Sequence, residues 1–435
     1  MMGKRQTREA KLFYTDVNIE ERMPANHPLR QIACAVDFSF IRRQVAPLYG
    51  VNGHQSLDPI LILKLSFLYF YENIRSEREL MRQLPLRIDW LWFCELDLDS
   101  EIPNHSVLSK ARKLWGQAAF TKFFDHVLER CQDAGLVAGQ TLHADSTLLK
   151  ANASLEGRVS RKLWEQLEAS SAPEDSPPSP SSPPTPCASA AATSSSSSAA
   201  ASAATTTITT TTTTTAKRVK LNDRLVSPVD PDAATSTRKK GGTTLGYRDH
   251  RLVDDQHGVI VATIATAADV DDGCMLSVLL DEASERCVDP HEVVGDSMYG
   301  TIENYQQLHA RGIKAYLKKR RGKDSPKVSW LKQLPAECRE DRALYLLGRR
   351  KSRAEGSFAE AHVRMDHYYC RWRRRSRVQI QCDMVCSVQN VKKLIRYSRR
   401  RGSTLALAMA HRRPLTVSFC PATIRRRRFT SGNRP

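Results

Sequence analysis

The chain has 435 residues, 41% of them hydrophobic and 26% charged. That balance excludes wholesale disorder and a multi-span membrane protein, and the length calls for two or three structural units. Its 66 Lys and Arg against 47 Asp and Glu give a formal charge of +19, which favours a polyanionic partner, nucleic acid ahead of an anionic membrane surface. Eleven cysteines are scattered without a CxxC pair, so we expect reduced thiols rather than a disulfide framework or a zinc site. The charged start MMGKRQTREAKLF lacks a signal-peptide run, and the most apolar stretch, Ile60 to Phe70, is too short for a membrane span, so the expectation is a cytoplasmic protein.

Residues 1–135 read as helical. Asp58 and Pro59 stand as N-cap and first-turn residues ahead of ILILKLSFLYFY, and Ser76 with Glu79 forms a capping-box pattern opening SERELMRQL. Two further helices are predicted, over PNHSVLSKARKLW and over FTKFFDHVLERCQDAG, the second ending at Gly135. After Gly135 come β-rich runs: LVAGQTLHADSTLLKA, then GYRDHRLVDDQHGVIVATIATAAD as two strands joined at the turn Gln256-His257-Gly258. A helix over Cys274 to Glu285, a strand in HEVVGDSMYG, a helix over ENYQQLHARG and a strand in IKAYLKK follow, then helix again from Arg349 to about Tyr368. This alternation predicts an α/β layer with a mixed sheet. Between the first strand and the next two lies a Ser/Thr/Ala/Pro-rich segment, residues 169–216, with almost nothing to pack in a core. It is expected to be a disordered insertion within one α/β domain (136–168 and 217–397), with 398–435 a basic C-terminal tail.

Three acidic residues stand out by position. Asp145 lies in the first strand (HADST), Asp296 ends another (VVGDSMYG), and Glu355 opens a helix (RAEGSFAEAH). Convergence at strand ends, where open α/β sheets carry their sites, would make a divalent-metal site. Mg²⁺ prefers a few carboxylate oxygens, and two such ions about 3.5 to 4 Å apart activate a nucleophile and stabilise the leaving oxygen of a phosphodiester. Taken singly, a strand-end Asp is more often a turn residue, and a Glu beside Arg349, Arg350, Lys351 and Arg353 a solvated ion-pair partner. His143 and His250 are read as packing residues, because carboxylates already suit Mg²⁺.

The chain resembles the DDE transposases of bacterial insertion sequences, near the families called in words five-type and eleven-eighty-two-type. The resemblance rests on ANHPLRQI, SLDPILILKL, SERELMRQL and IPNHSVLSKARKLWG in the N-terminal part, then HADSTLLKANAS, SPVDPDAA, GYRDH, VVGDSMYG, RAEGSFAEAHVRM and VQNVKKL. It implies an RNase H-like catalytic core with an all-α N-terminal domain that binds DNA ends. It further implies Asp145, Asp296 and Glu355 as catalytic metal ligands, Mg²⁺ or Mn²⁺ as cofactor with two ions, and a nucleoid-associated bacterial protein acting as a homodimer or higher on DNA. Cleavage at terminal inverted repeats and transfer of the freed 3′-hydroxyl to target DNA would follow, with no membrane and no nucleotide cofactor. In relatives a basic residue two turns beyond the Glu approaches DNA; here it is His362, and Gly348 and Lys351 fall where a Tyr and an Arg are expected.

Expected DNA contacts are Lys110, Arg112 and Lys113 on the N-terminal helices, Lys351, Arg353 and His362 around Glu355, and Arg371, Arg373, Arg374, Arg375 and Arg377 in RWRRRSR, with RRRG (399–402) and RRRRF (425–429) continuing the basic run. The competing readings are a catalytically decayed DNA-binding derivative and a stand-alone two-metal nuclease.

Overall fold

A computed structural model describes residues 1–3, 18–50, 55–171, 221–238, 242–318 and 341–401. The expected disorder of 172–216 and the basic runs beyond Arg401 lie outside the described residues. The N-terminal part is helical as predicted: α1 Ile19–Arg22, α2 Pro28–Ala35, α3 Phe40–Val45, α4 Pro59–Tyr71, α5 Glu77–Gln83, α6 Ile88–Cys94 and α7 Ser106–Asp133. Asp58 caps α4, its carboxylate accepting from Ile60 N at 3.1 Å and from Arg42 Nη1 at 2.7 Å. Every residue from Pro59 to Phe70 is buried, as an all-round apolar helix must be.

One local expectation fails. Ser76 makes no side-chain cap, and Glu79 pairs forward with Arg82 at 2.7 Å; an exposed bidentate guanidinium competes well with a backbone N–H for one carboxylate. The two helices expected on either side of Gly116 are both present and abut in the kinked element α7, where Gly116 breaks the helix with φ 65°, a conformation glycine reaches at no steric cost. Gly135, φ 72°, ends the helix as predicted, donating to Gln132 O at 2.8 Å.

The second layer is a six-stranded mixed sheet. Strand β1, Thr141–Lys150, is followed by a small pair, β2 Val159–Ser160 and β3 Leu225–Val226, with α8 Arg161–Ser171 and α9 Leu221–Arg224 beside it. Helix α8 therefore extends past the expected start of the insertion at 169. Strands β4 Ala234–Arg238, β5 Gly242–Asp254 and β6 Ile260–Ala267 follow, then α10 Asp272–Glu285, β7 Glu292–Gly295, α11 Ile302–Ala310 and β8 Lys314–Leu317. β5 runs antiparallel to β1, β6 and β4, whereas β7 is parallel to β1 and β8 to β7. This is the order β6-β5-β1-β7-β8 of an RNase H-like sheet. The β5–β6 hairpin turns at Gly258, φ 70°, with Asp254 accepting from Gln256 N at 2.9 Å.

The chain closes with α12 Asp341–Arg350, a π-turn Lys351–Glu355, α13 Gly356–Met365 and the long α14 Arg375–Arg401. The helix expected from Arg349 thus starts earlier and stops at Met365, where Asp366 takes φ 53°. α14, unforeseen, lies between the outer edge of β6 and α7. Its amides finish that edge: Gln379 accepts from Ala265 N at 2.6 Å and donates to Thr263 O at 2.8 Å, and Asn390 accepts from Ile260 N at 2.9 Å and donates to Ile260 O at 2.8 Å. An edge strand otherwise offers unpaired backbone groups to other chains. One hydrophobic core runs from Met23 in the N-terminal helices through the sheet to Ile395 of α14, so helical unit and sheet are welded rather than strung on a linker. The eight described cysteines are free thiols, and among the described residues no helix is long and apolar enough to cross a membrane.

Asp383, buried on α14, accepts from Thr121 Oγ1 at 2.8 Å and Gln379 Nε2 at 2.7 Å. Burial pushes its carboxyl up to about 7, against about 3.9 in an unfolded chain. The folded state then holds the proton more tightly, and stability falls as pH rises from about 4 through 7. Asp383→Asn keeps both bonds, since the Thr121 hydroxyl can accept instead of donate. It is expected to match the parent at pH 4 and to exceed it at pH 8 in urea unfolding; a variant weaker at both values refutes the assignment.

Candidate active site

The parallel pairing His143↔Val294, continued by two residues, brings Asp145 level with Asp296, the residue directly after β7. Gly295 lets β8 and the turn after Asp296 pack closely: a Cβ there would come within 2.8 Å of Leu317 Cδ2 and 3.1 Å of Tyr299 Cβ. Asp296 then turns the chain by accepting from Met298 N at 2.8 Å, and Asp145 accepts from Ser146 N at 2.9 Å.

Glu355 reaches the same place from the helical layer. The guanidinium of Arg350 joins it to β1, with Nη1 2.9 Å from Asp145 Oδ2 and Nη2 2.5 Å from Glu355 Oε1. Position i−4, Lys351, is where the sequence pattern expects an Arg, and Lys351 is exposed. The π-turn explains the change: a π-turn closes on i+5, so Arg350 takes the place on Glu355's face that an α-helix would give Lys351. This residue was missed, and only the local helix type reveals it.

Burial above all, with the negative charges of Asp296 and Glu355 adding to it against the pull of Arg350, pushes the Asp145 carboxyl up to about 6. The mutual influence of the three carboxylates, with a cation held among them, is the electrostatic condition a divalent ion would meet, and hard carboxylate oxygens are the donors Mg²⁺ selects. The donor set therefore fits.

Neighbouring basic residues fasten the Glu355 segment to the sheet. Arg349 donates to Asp255 Oδ1 at 2.6 Å, and His143 Nε2 lies 2.8 Å from the same oxygen. Arg353 donates to Gln256 O at 2.9 Å in the hairpin turn. His143 is thus a buried partner of that anchor, and His250 bonds Thr266 Oγ1 at 2.8 Å, as packing roles require.

A deeper anchor lies beneath. Arg251, directly opposite Asp145 in the β1–β5 register, is fully buried and pairs with Asp249 at 2.7 Å. Asp249 also accepts from Thr263 Oγ1 at 2.8 Å and meets His367 Nε2 at 3.0 Å. Against the upward pull of burial, Arg251 and His367 hold its carboxyl below the ordinary range. Arg251 further donates to Gln389 Oε1 at 3.0 Å, Gln389 donates to Ser357 O at 2.7 Å, and the guanidinium sits 4.4 Å from the Phe358 ring centre. Sheet, α13 and α14 are thereby locked around the helix that begins at Glu355.

Among the expected DNA contacts, Lys110, Lys113, Lys351, Arg373, Arg374, Arg375 and Arg377 are exposed. The other four are engaged within the protein. Arg112 pairs with Glu77 at 2.5 Å and lies 4.0 Å over Trp372. Arg371 donates to Ile74 O at 2.7 Å and Met365 O at 3.1 Å and covers the rings of Tyr69 and Phe70. Both guanidinium groups join α4 and α5 to the catalytic layer, where planar donors can satisfy several carbonyls at once. His362 is half-buried, lies 3.3 Å from Thr147 Oγ1 and stacks on Tyr368 at 3.8 Å; burial first, then the charges of His367 and Arg251, lower its pKa to about 4, so near neutrality it carries no positive charge. Arg353 is committed to the hairpin turn.

Residues 17–114 match the family described as a transposase domain (DUF772), and residues 206–391 match the transposase DDE domain. No curated protein matches the sequence. A solved piggyBac transposase synaptic complex with hairpin DNA is 10% identical, with 90% of this chain and 86% of that chain covered at a TM-score of 0.33, a likeness too loose to carry an argument.

Proposed function

Because the chain belongs to the DDE transposases of insertion sequences, which cleave DNA and transfer the cut strand with the help of divalent metal ions, we propose that Asp145, Asp296 and Glu355 are its catalytic carboxylates. The observation that carries this reading is that Arg350 bridges Asp145 of β1 to Glu355, while the β1–β7 register runs Asp296 alongside Asp145 and the charges of both Asp296 and Glu355 act on the Asp145 carboxyl. They would hold Mg²⁺ or Mn²⁺, as two ions, which would supply an activated water or 3′-hydroxyl and charge neutralisation on the leaving oxygen.

The chain's own residues do the positioning. Asp145 rides on β1 and Asp296 on the turn that directly follows the paired strand β7, fixed by its bond from Met298 N, and Glu355 is held by the Arg349, Arg353 and Arg251 anchors. Such preorganisation is where most of the rate enhancement of phosphoryl transfer resides. The exposed cations Lys110, Lys113, Lys351, Arg373, Arg374, Arg375 and Arg377 would contact phosphates, which orients the duplex without reading its bases. Recognition of the terminal inverted repeats falls to residues 1–135, the chemistry to 136–168 with 217–397, and the pairing of two DNA ends calls for a dimer or larger assembly.

The test is nicking and joining of DNA bearing the element's ends, with Mg²⁺ or Mn²⁺. Asp145→Asn, Asp296→Asn and Glu355→Gln should each lower both steps at least a hundred- to a thousandfold, on the order of what one preorganised electrostatic contact supplies. Full nicking by any one of them removes that residue from the site.

A further inference from the structure

A column of stacked planes runs outward from the buried Arg251. Its guanidinium lies 4.4 Å from the Phe358 ring centre; Phe358 stacks on His362 with centroids 6.4 Å apart and planes 29° from parallel; His362 stacks on Tyr368 at 3.8 Å and 25°. Phe358 and His362 lie one turn apart on α13, which aligns their rings. The first members are buried, whereas Tyr368 is 49% exposed, so the column ends in open solvent.

The outermost member is rigid. Lys150 N donates to Tyr368 O at 2.8 Å and Cys370 N donates to Lys150 O at 2.8 Å, which adds the Tyr368–Cys370 segment to the end of β1, the strand that carries Asp145. Tyr369 O accepts from Gln381 Nε2 at 2.9 Å, and the adjoining His367 is fixed by Asp249. The column is also keyed to the site from its side: His362 meets Thr147, which faces the same way as Asp145 and lies two residues, or about 7 Å, further along the strand. Arg364 is exposed on the same helix, and Arg75, 81% exposed, reaches Asp366 at 3.3 Å, so cations border the open end.

We propose that the outer face of Tyr368 is a stacking site for one unpaired nucleobase of the DNA strand entering the carboxylate site. The inference rests on the catalytic reading of Asp145. An aromatic face accepts any base, since every base has a π-face, and a ring backed by further rings loses little freedom on binding. The neutral His362 fits this use, because at that position it supports a stack instead of supplying a charge. The base must be unpaired, since a ring can cover a base face only where the duplex stack is interrupted.

The test uses the full chain in EDTA, where no cleavage intervenes, with a duplex ending in a single-stranded overhang that carries 2-aminopurine, and the same duplex with a blunt end. The parent and Tyr368→Phe should quench the 2-aminopurine. Tyr368→Ala should leave it bright and lose about tenfold in affinity for the overhang, with blunt-end affinity and the salt dependence of binding unchanged, since no charge is removed. Quenching that survives in Tyr368→Ala, or an equal loss on both duplexes, overturns the proposal. Failure of the catalytic reading appears separately, as metal-dependent nicking that survives Asp145→Asn.

Discussion

Asp145→Asn is expected to abolish DNA cutting and, in metal-free buffer at pH 8, to melt several degrees higher than the parent. Both effects come from one arrangement. Asp145 is 14% exposed and faces Asp296 and Glu355 with Arg350 as a single compensating cation, so its ionised form is disfavoured and its carboxyl stands at about 6. A folded-state value raised above the unfolded one of about 3.9 means that stability is fully present below about pH 4 and is lost as pH rises through about 6. The rise from about 3.9 to about 6 corresponds to roughly 3 kcal/mol, an upper figure for what the neutral amide recovers. Divalent cations should stabilise the parent and not the variant, because only the parent keeps the carboxylate. Thermal melts at pH 4 and pH 8, with and without Mn²⁺, check the pattern; a variant less stable than the parent at pH 8 without metal contradicts it.

Arg251→Met is expected to destabilise the protein by about 3 to 5 kcal/mol, the usual consequence of leaving a buried carboxylate without its cation. Asp249 is fully buried, and with Arg251 gone its remaining partners are His367 and the Thr263 hydroxyl. The same substitution frees Gln389 and uncovers Phe358, so α13 should exchange its amide protons faster and cleavage should fall although no carboxylate of the site is touched. The double variant Asp249→Asn with Arg251→Met should recover part of the loss, since removing both charges avoids the unpaired one. Urea unfolding and hydrogen exchange of residues 356–365 measure this; a loss below about 1 kcal/mol would mean that the pair is not the anchor of α13.

The local chemistry of the chain was enough to locate most elements. Asp58-Pro59 opens α4, Gly135 closes α7, Gly258 turns the β5–β6 hairpin, and the alternating runs from Cys274 to Leu317 form α10, β7, α11 and β8. Caps, turns and periodicity act over a few residues, and so are readable in order along a chain. The positions of Asp145 within β1 and of Asp296 just after β7 were legible for the same reason. Helix α14 was not, because it buries Gln379, Gln381, Asp383, Ser387, Gln389 and Asn390. Those polar side chains hide any apolar stripe and are tolerated because each finds a partner: β6 and His367 bond the amides, and Thr121 donates to Asp383.

The exchange of Lys351 for Arg350 beside Glu355 was also out of reach, since it depends on a π-turn that the packing of α12 and α13 against the sheet imposes. Basic residues in a run look alike in one dimension: Arg112 and Arg371 read as phosphate contacts, yet they bond carbonyls, carboxylates and rings between the helical unit and the catalytic layer. What residue type and spacing determined was the ladder of elements and the acidic residues placed on it. Which cations face solvent, and which are spent holding Glu355 against β1, was decided by contacts between residues far apart in the chain, where burial makes an unpaired polar group costly and so selects the partner.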